Sequence, residues 1–248
     1  LLGEGRYDPK YKPGDFVDPT EIGDSVDPNP YFPLVPGYRW VYEADGEVII
    51  VEVLEDTKMI DGVLCAVVRD IVIETEEEEG DDEDENFLQE DDDMDEDVLG
   101  DPVEDTLDWY AQDKHGNVWY FGEISLNYED GEVTDVDGSW QTGVDHAHPG
   151  VLMYSMPAVG AVYRQEFLLG EAEDMALVIS TSASPDLGED NVGDCSLGCL
   201  KVEEWTPLES DSLEYKYYQA GVGMVLEAKP GSDERVELVE FTAGETDD

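Results

Sequence analysis

Residues 106–122 read TLDWYAQDKHGNVWYFG: two runs rich in aromatic and β-branched residues, Thr106 to Gln112 and Asn117 to Gly122, around a polar break. Neither run has the spacing of an amphipathic helix. Both have the composition of strands, and His115-Gly116-Asn117 supplies the residue types that turn a hairpin. Trp109 and Ala111 alternate with Asp108 and Tyr110, which predicts a sheet with one buried face.

The pattern extends in both directions. Strand-like runs cover Tyr38 to Ala44, Glu47 to Leu54, Leu64 to Glu74, Val162 to Leu169 and Met175 to Ala183. They continue through Leu200 to Thr206, Leu213 to Gln219, Gly223 to Glu227 and Arg235 to Phe241, where Val236 and Leu238 again alternate with Glu237 and Val239. Asp45-Gly46, Asp61-Gly62 and Asp130-Gly131 fall where tight turns are needed. The expectation is an all-β fold, a large antiparallel curved sheet or partly closed barrel. One β domain spans 31–248. Residues 1–30, broken by Pro9, Pro13, Pro19, Pro28 and Pro30, form an extended N-terminal arm whose Tyr7, Tyr11 and Phe16 suit packing on another subunit. An acidic insertion occupies about residues 75–105: from Glu74 to Asp105 there are 20 carboxylates and no Lys or Arg.

Charge narrows the function classes. Asp and Glu number 65 against 12 Lys and Arg, a formal net charge of -53. Nucleic acid and anionic membrane surfaces both need a basic footprint that is missing here. Such a chain asks for positive ions, either dense monovalent salt or bound multivalent cations. No apolar run reaches the roughly 18 residues that cross a bilayer. The chain begins with Leu1 rather than Met, which reads as a processed, exported form. Cys65, Cys195 and Cys199 allow one disulfide and one free thiol. Cys65 with Cys199 is favoured because both lie in strand-like runs; Cys195 with Cys199, or three free thiols, stay open.

Calcium wants six to eight oxygens, and Asp91, Asp93, Asp95, Asp97 and Asp101 have a spacing suited to wrapping one ion. Asp186, Asp190 and Asp194, in a Gly-containing loop, form a further candidate site. His146 and His148, two apart, would share one side of a strand and chelate Zn2+ or Cu2+. No Gly-x-Ser-x-Gly elbow, phosphate loop or dinucleotide fingerprint is present, and Cys195 and Cys199 lack the two-residue redox spacing. A non-enzyme is expected.

Several blocks resemble a family of exported bacterial β-domain proteins of uncharacterised function. They are Asn29 to Leu34 with Pro36-Gly37, Asp108 to Asp113, Gly116 to Gly122, Tyr163 to Glu166, Glu204 to Glu209, and Tyr217-Tyr218 with Gly221 to Gly223. The resemblance covers about residues 29–241 and implies export and an antiparallel β fold akin to lipoprotein-carrier half-barrels; it implies no reaction. The acidic insertion, the arm, and His146 and His148 depart from the family pattern.

Together these readings predict a secreted acidic structural protein that binds Ca2+ and assembles into a homo-oligomer, polymer or filament through its arm. Two alternatives compete: a monomeric carrier with an apolar cavity of several hundred Å3 for a lipid, and a salt-adapted β protein of unrelated function.

Overall fold

In this computed structural model the described residues are 7–75, 100, 102–210 and 212–244. Fifteen strands form one sheet. They are β1 (Arg39–Ala44), β2 (Glu47–Ile60), β3 (Val63–Glu74), β4 (Pro102–Gln112), β5 (Val118–Glu129), β6 (Glu132–Asp135), β7 (Trp140–Gln141) and β8 (His148–Met153). The second half holds β9 (Val162–Arg164), β10 (Glu166–Phe167), β11 (Met175–Ala183), β12 (Cys199–Trp205), β13 (Glu214–Gln219), β14 (Gly223–Ala228) and β15 (Arg235–Thr242). The hydrogen-bonded order is β10-β8-β5-β4-β3-β2-β1-β15-β14-β13-β12-β11-β9, with β6 and β7 attached to β5. Among the described residues no helix is long and apolar enough to cross a membrane.

The sheet curls into a nearly closed antiparallel barrel, and one short segment brings its ends together. β9 pairs with β11 and β10 with β8, yet only Gln165 separates β9 from β10. Gln165 donates its backbone N–H to the Asp174 carbonyl at 2.8 Å, and its side chain reaches Glu204. The seam is tight. A Cβ on Gly150 of β8 would lie 2.2 Å from the Gln165 carbonyl, so no larger residue fits there.

Turn chemistry fixes the hairpins as the sequence implies. Asp61 and Gly62, and Asp130 and Gly131, all adopt positive φ, matching the right-handed strand twist at two-residue turns. β3 and β4 pair antiparallel from Ala66 and Tyr110 to Ile73 and Pro102, so the acidic insertion does interrupt a hairpin.

The inside of the barrel is filled by a large apolar cluster that includes Leu34, Trp40, Tyr42, Val68, Tyr110, Tyr120, Trp140, Val202, Val225 and Leu238. Alternate residues form two outer clusters. One holds Val41, Val48, Ile50, Ile71 and Ile73. The other, Ile60, Val63, Cys65, Val67, Trp109, Ala111 and Phe121, is joined by Phe16 and Tyr11 of the arm. The expectation of one buried face therefore fails for β4, where Asp108 to Gln112 are all buried, because the arm covers the outer side.

The described part of the arm lies on the barrel of its own chain rather than reaching outward. Val17 N–H bonds the Gln112 carbonyl at 3.0 Å, Lys114 N–H bonds the Asp15 carbonyl at 2.9 Å, and the Tyr7 hydroxyl bonds the Pro149 carbonyl at 3.0 Å. Asn29, fully buried, donates to the Gly116 carbonyl and receives the N–H groups of Tyr31 and Phe32.

The cysteine pairing differs from the favoured one. Cys195 and Cys199 form the disulfide, with Cα atoms 5.1 Å apart. Cys65 is a buried free thiol on the outer face of β3, whereas Cys199 joins the inner cluster, so the sheet lies between them.

Candidate functional site

The strands that line the barrel are apolar for most of their length and then turn acidic at one end. Because inward positions recur every second residue, the face that carries Val68 also carries Asp70, and the face of Tyr110 carries Asp108 and Glu104. Val202 leads in the same way to Glu204, Val225 to Glu227, and Tyr218 to Lys216 and Glu214. This end of the lumen is lined by carboxyl groups and one lysine.

The lysine is fully engaged. Its Nζ lies 3.1 Å from Glu204 Oε2, 3.1 Å from Glu214 Oε1 and 3.5 Å from Glu227 Oε2. Glu204 is further held by Gln165 at 2.9 Å and by the Tyr218 hydroxyl at 3.3 Å. Glu214 and Glu227 also border a cleft of about 430 Å3, with Glu47, Glu209 and Arg235 on its wall.

Across the lumen the arrangement lacks a cation. Strand register sets Val68, Asp108, Glu123 and Trp140 side by side on β3, β4, β5 and β7. Gly122 makes this possible. Its φ of +132° shifts the register of β5, and a Cβ there would stand 2.3 Å from the Trp140 carbonyl. The Asp108 carboxylate accepts from the Tyr120 hydroxyl, and Tyr120 stacks on Tyr110 with ring centres 4.6 Å apart. Glu104 accepts from Thr106 and Ser125, both at 2.9 Å. Among the described residues no Lys or Arg pairs with Asp108, Glu123 or Glu166.

Burial without a countercharge makes ionisation costly. Asp70 is pushed up to about 8, first by burial and then by Asp108 and Glu104, against a smaller opposing pull from Lys216. Glu166 is also pushed up to about 8, by burial and then by Asp174. Asp108 and Glu123 are both raised, chiefly by burial; the next largest cause is Glu123 for Asp108 and Glu166 for Glu123.

Of the anticipated ligand sets, one falls outside the described residues and two can be placed. Asp91, Asp93, Asp95, Asp97 and Asp101 lie outside the described residues. Asp186, Asp190 and Asp194 are exposed and act locally: the Asp186 carbonyl accepts from Arg235, and the Asp194 carboxylate caps the Ser196 N–H at 2.8 Å. The loop between them is pinned by Asn191, which donates to the Val225 carbonyl at 2.7 Å and to Glu237. His146 and His148 do not share a strand face. Asp145 and His146 sit in a turn at positive φ, and only His148 enters β8, where it stacks on Phe167. Among the described residues no three His, Cys, Asp or Glu side chains converge closely enough to ligate one metal ion.

The lumen carboxyls escaped the sequence reading because carboxylates crowd every loop. The usable signal was a carboxylate at an inward position of an apolar run, such as Asp70 between Val68 and Val72, or Asp108 two residues before Tyr110.

No family model and no curated protein matches this chain. A crystal structure from Bacteroides fragilis NCTC 9343, described as a candidate exported protein with a YmcC-like fold, is similar with a TM-score of 0.38 and 11% identity, covering 86% of this chain and 99% of that one.

Proposed function

We propose that this chain is an exported, non-enzymatic binding protein whose acidic lumen takes up cations. The observation that carries this reading is the mismatch of charge within the barrel: Asp70, Glu104, Asp108, Glu123 and Glu166 share an end whose lysine is already held by three glutamates. A cation entering there replaces the protons that Asp70, Asp108, Glu123 and Glu166 otherwise retain. The hydroxyls nearby favour binding over nucleophilic catalysis, since Thr106 and Ser125 are both committed to the same Glu104 oxygen. A lipid fits poorly: the apolar pocket beside Phe32, Trp40, Tyr42 and Val68 holds only about 40 Å3.

Melting of the full chain with Ca2+, with Na+ and with chelator tests the reading. A lumen ligand raises the melting temperature with concentration, and Asp108→Asn with Glu123→Gln removes most of the gain. An undiminished gain in that double variant would place the ions on the outer surface and overturn it.

The net charge of -53 favours a second reading, a secreted structural protein whose exposed carboxylates are bridged by Ca2+ between copies. Light scattering that grows with millimolar Ca2+ and reverses with chelator is its signature. Constant particle size in both conditions removes it.

A further inference from the structure

Strands β14 and β15 pair over only three residues, Leu226 to Ala228 against Glu237 to Arg235, and beyond Leu226 and Glu237 they part. β15 stays paired with β1 as far as Thr242, and β14 is paired with β13 from Gly223 onward. The parting therefore leaves a slot in the barrel wall between Gly223 to Val225 and Leu238 to Thr242. We infer that the connection between β11 and β12, residues 184–198, is a latch that closes this slot, and that the barrel opens sideways when the latch is released. The paired part of the two strands, with Glu227 and Arg235, lies toward the acidic end, so the slot gives onto the apolar half of the lumen.

Side chains take the place of the missing ladder. The Trp40 indole N–H bonds the Val222 carbonyl at 2.8 Å, the Tyr42 hydroxyl bonds the Met224 carbonyl at 3.3 Å, and the Asn191 amide bonds the Val225 carbonyl at 2.7 Å. The first two donors come from β1, on the far side of β15. The third comes from the connection, whose Val192 N–H also bonds the Leu238 carbonyl on the opposite lip at 2.9 Å. Main-chain groups left open by a parted sheet need partners, and residues 191 and 192 supply one to each lip. A Cβ on Gly193 would lie 2.7 Å from the Val225 side chain, so the latch seats this closely only with glycine there.

The latch is fixed at its base and lightly held elsewhere. At the base, Ala183 pairs with Cys199, the Cys195–Cys199 disulfide closes the last turn, and a Cβ on Gly198 would lie 2.8 Å from the Ser182 backbone. Along its length the Gly188 N–H donates to Glu237 at 3.3 Å, Arg235 donates to the Asp186 carbonyl, and the Asp194 N–H donates to the Gln219 side chain at 2.6 Å, all at exposed positions. Glu189, Asp190 and Val192 face solvent. A segment tied by a few exposed hydrogen bonds belongs to the low-stability end of a native structure and opens before the barrel unfolds.

Release has a definite consequence for the interior. The wall of the apolar pocket of about 40 Å3 includes Trp40, Tyr42, Gly223 and Met224, all of which bridge or border the slot. Leu187 of the latch packs against the same inner cluster, so its departure also withdraws an apolar contact. The open slot is a side entrance to the apolar half of the lumen, separate from the acidic end.

Native-state hydrogen exchange of the full chain, followed by NMR, tests the latch at three places: the Val192 amide, the Trp40 indole N–H, and the amides of β3, which is paired on both sides. Trp40 is 6% exposed, and its indole N–H is freed when the slot opens. The expected result is similar protection at Val192 and Trp40, about tenfold or more below that of β3. Asn191→Ala lowers both by about a further tenfold and leaves β3 unchanged, while Glu189→Gln, exposed on the latch, changes neither. If Trp40 is protected as fully as β3 while Val192 exchanges, the loop frays over a closed wall and the side entrance falls. If Asn191→Ala lowers protection equally at all three places, the connection is part of the global fold and the latch falls. The parent chain alone decides the first comparison, so a variant that folds poorly does not leave the question open.

Discussion

Asp108 and Glu123 face each other directly across β4 and β5, a buried and a half-buried acidic group in a position where sheets favour opposite charges. Both are raised above ordinary carboxylates, mainly by burial, so the folded chain keeps protons that the unfolded chain gives up. The same holds for Asp70 and Glu166, each pushed up to about 8. Stability from these groups is therefore complete below the ordinary range near pH 4 and is lost as pH rises toward 8. The ligand-free chain is expected to melt higher at pH 5 than at pH 8.5. Surface repulsion has the same sign, so the decisive comparison is Glu123→Gln, which should melt above the parent at pH 8.5 and match it at pH 5. Parallel pH curves for the two proteins would show that the row contributes nothing.

Lys216 has the opposite dependence on its surroundings. Three carboxylates hold it ionised in spite of burial, and its own titration is displaced well above the usual lysine range. Lys216→Met leaves Glu204, Glu214 and Glu227 facing one another without a countercharge. Removing one partner of a buried ionic group costs about 3–5 kcal/mol, and access from the neighbouring cleft places this site at the lower end. Urea unfolding should show that loss at pH 8 and a smaller one at pH 5, where Glu227, pushed up to about 7 chiefly by burial, takes up a proton instead.

Gly122 is the hinge that brings β7 against β5. Alanine there meets both a left-handed backbone and the Trp140 carbonyl, so Gly122→Ala should cost about 1–3 kcal/mol of strain or push β7 away. Displacement of β7 exposes Trp140, and its emission should shift to the red. A variant with parent stability and unchanged emission would mean that the strand accommodates the methyl by other means.

The frame of the fold was legible because the strand signal is local. Aromatic and β-branched runs such as Trp119 to Phe121, and the turns at Asp61-Gly62 and Asp130-Gly131, mark strand and loop without reference to neighbours. What pairs across the barrel was not legible. β8 begins at His148-Pro149-Gly150, residues that read as a loop and form a strand because β5 and β10 flank them. Likewise, Val162 to Leu169 reads as one strand but contains two, since Gln165 turns from β11 to β8 at the seam. The lumen site was hidden for a different reason: inward and outward carboxylates look alike until curvature and register assign them a side.

Cysteine chemistry provides a check on the pairing. Cys65 is sealed beneath the arm and its thiol is pushed up to about 12 by burial, so it is neither ionised nor accessible near neutral pH. A thiol reagent at pH 7.5 should label none of the native chain and one sulfur per chain in denaturant without reductant. Two non-native outcomes are informative: three labelled sulfurs would mean no disulfide, and fast native labelling would mean that the arm leaves the barrel readily.

The arm itself makes the last prediction. Phe16 is buried between Tyr11, Trp119 and Phe121, with ring centres 6.0, 6.0 and 5.4 Å away, and its neighbours Asp15 and Val17 bond the main chain around Gln112 and Lys114. Truncating a buried Phe typically costs about 3–5 kcal/mol, and Phe16→Ala should fall in that range. All these contacts lie within one chain, so the parent and the variant should both melt at temperatures that do not change over about a hundredfold range of protein concentration. An arm that was instead shared between copies would make the melting temperature rise with concentration, and Phe16→Ala would abolish that rise. Measuring both proteins across the range thus separates an arm that clamps its own barrel from one that joins subunits.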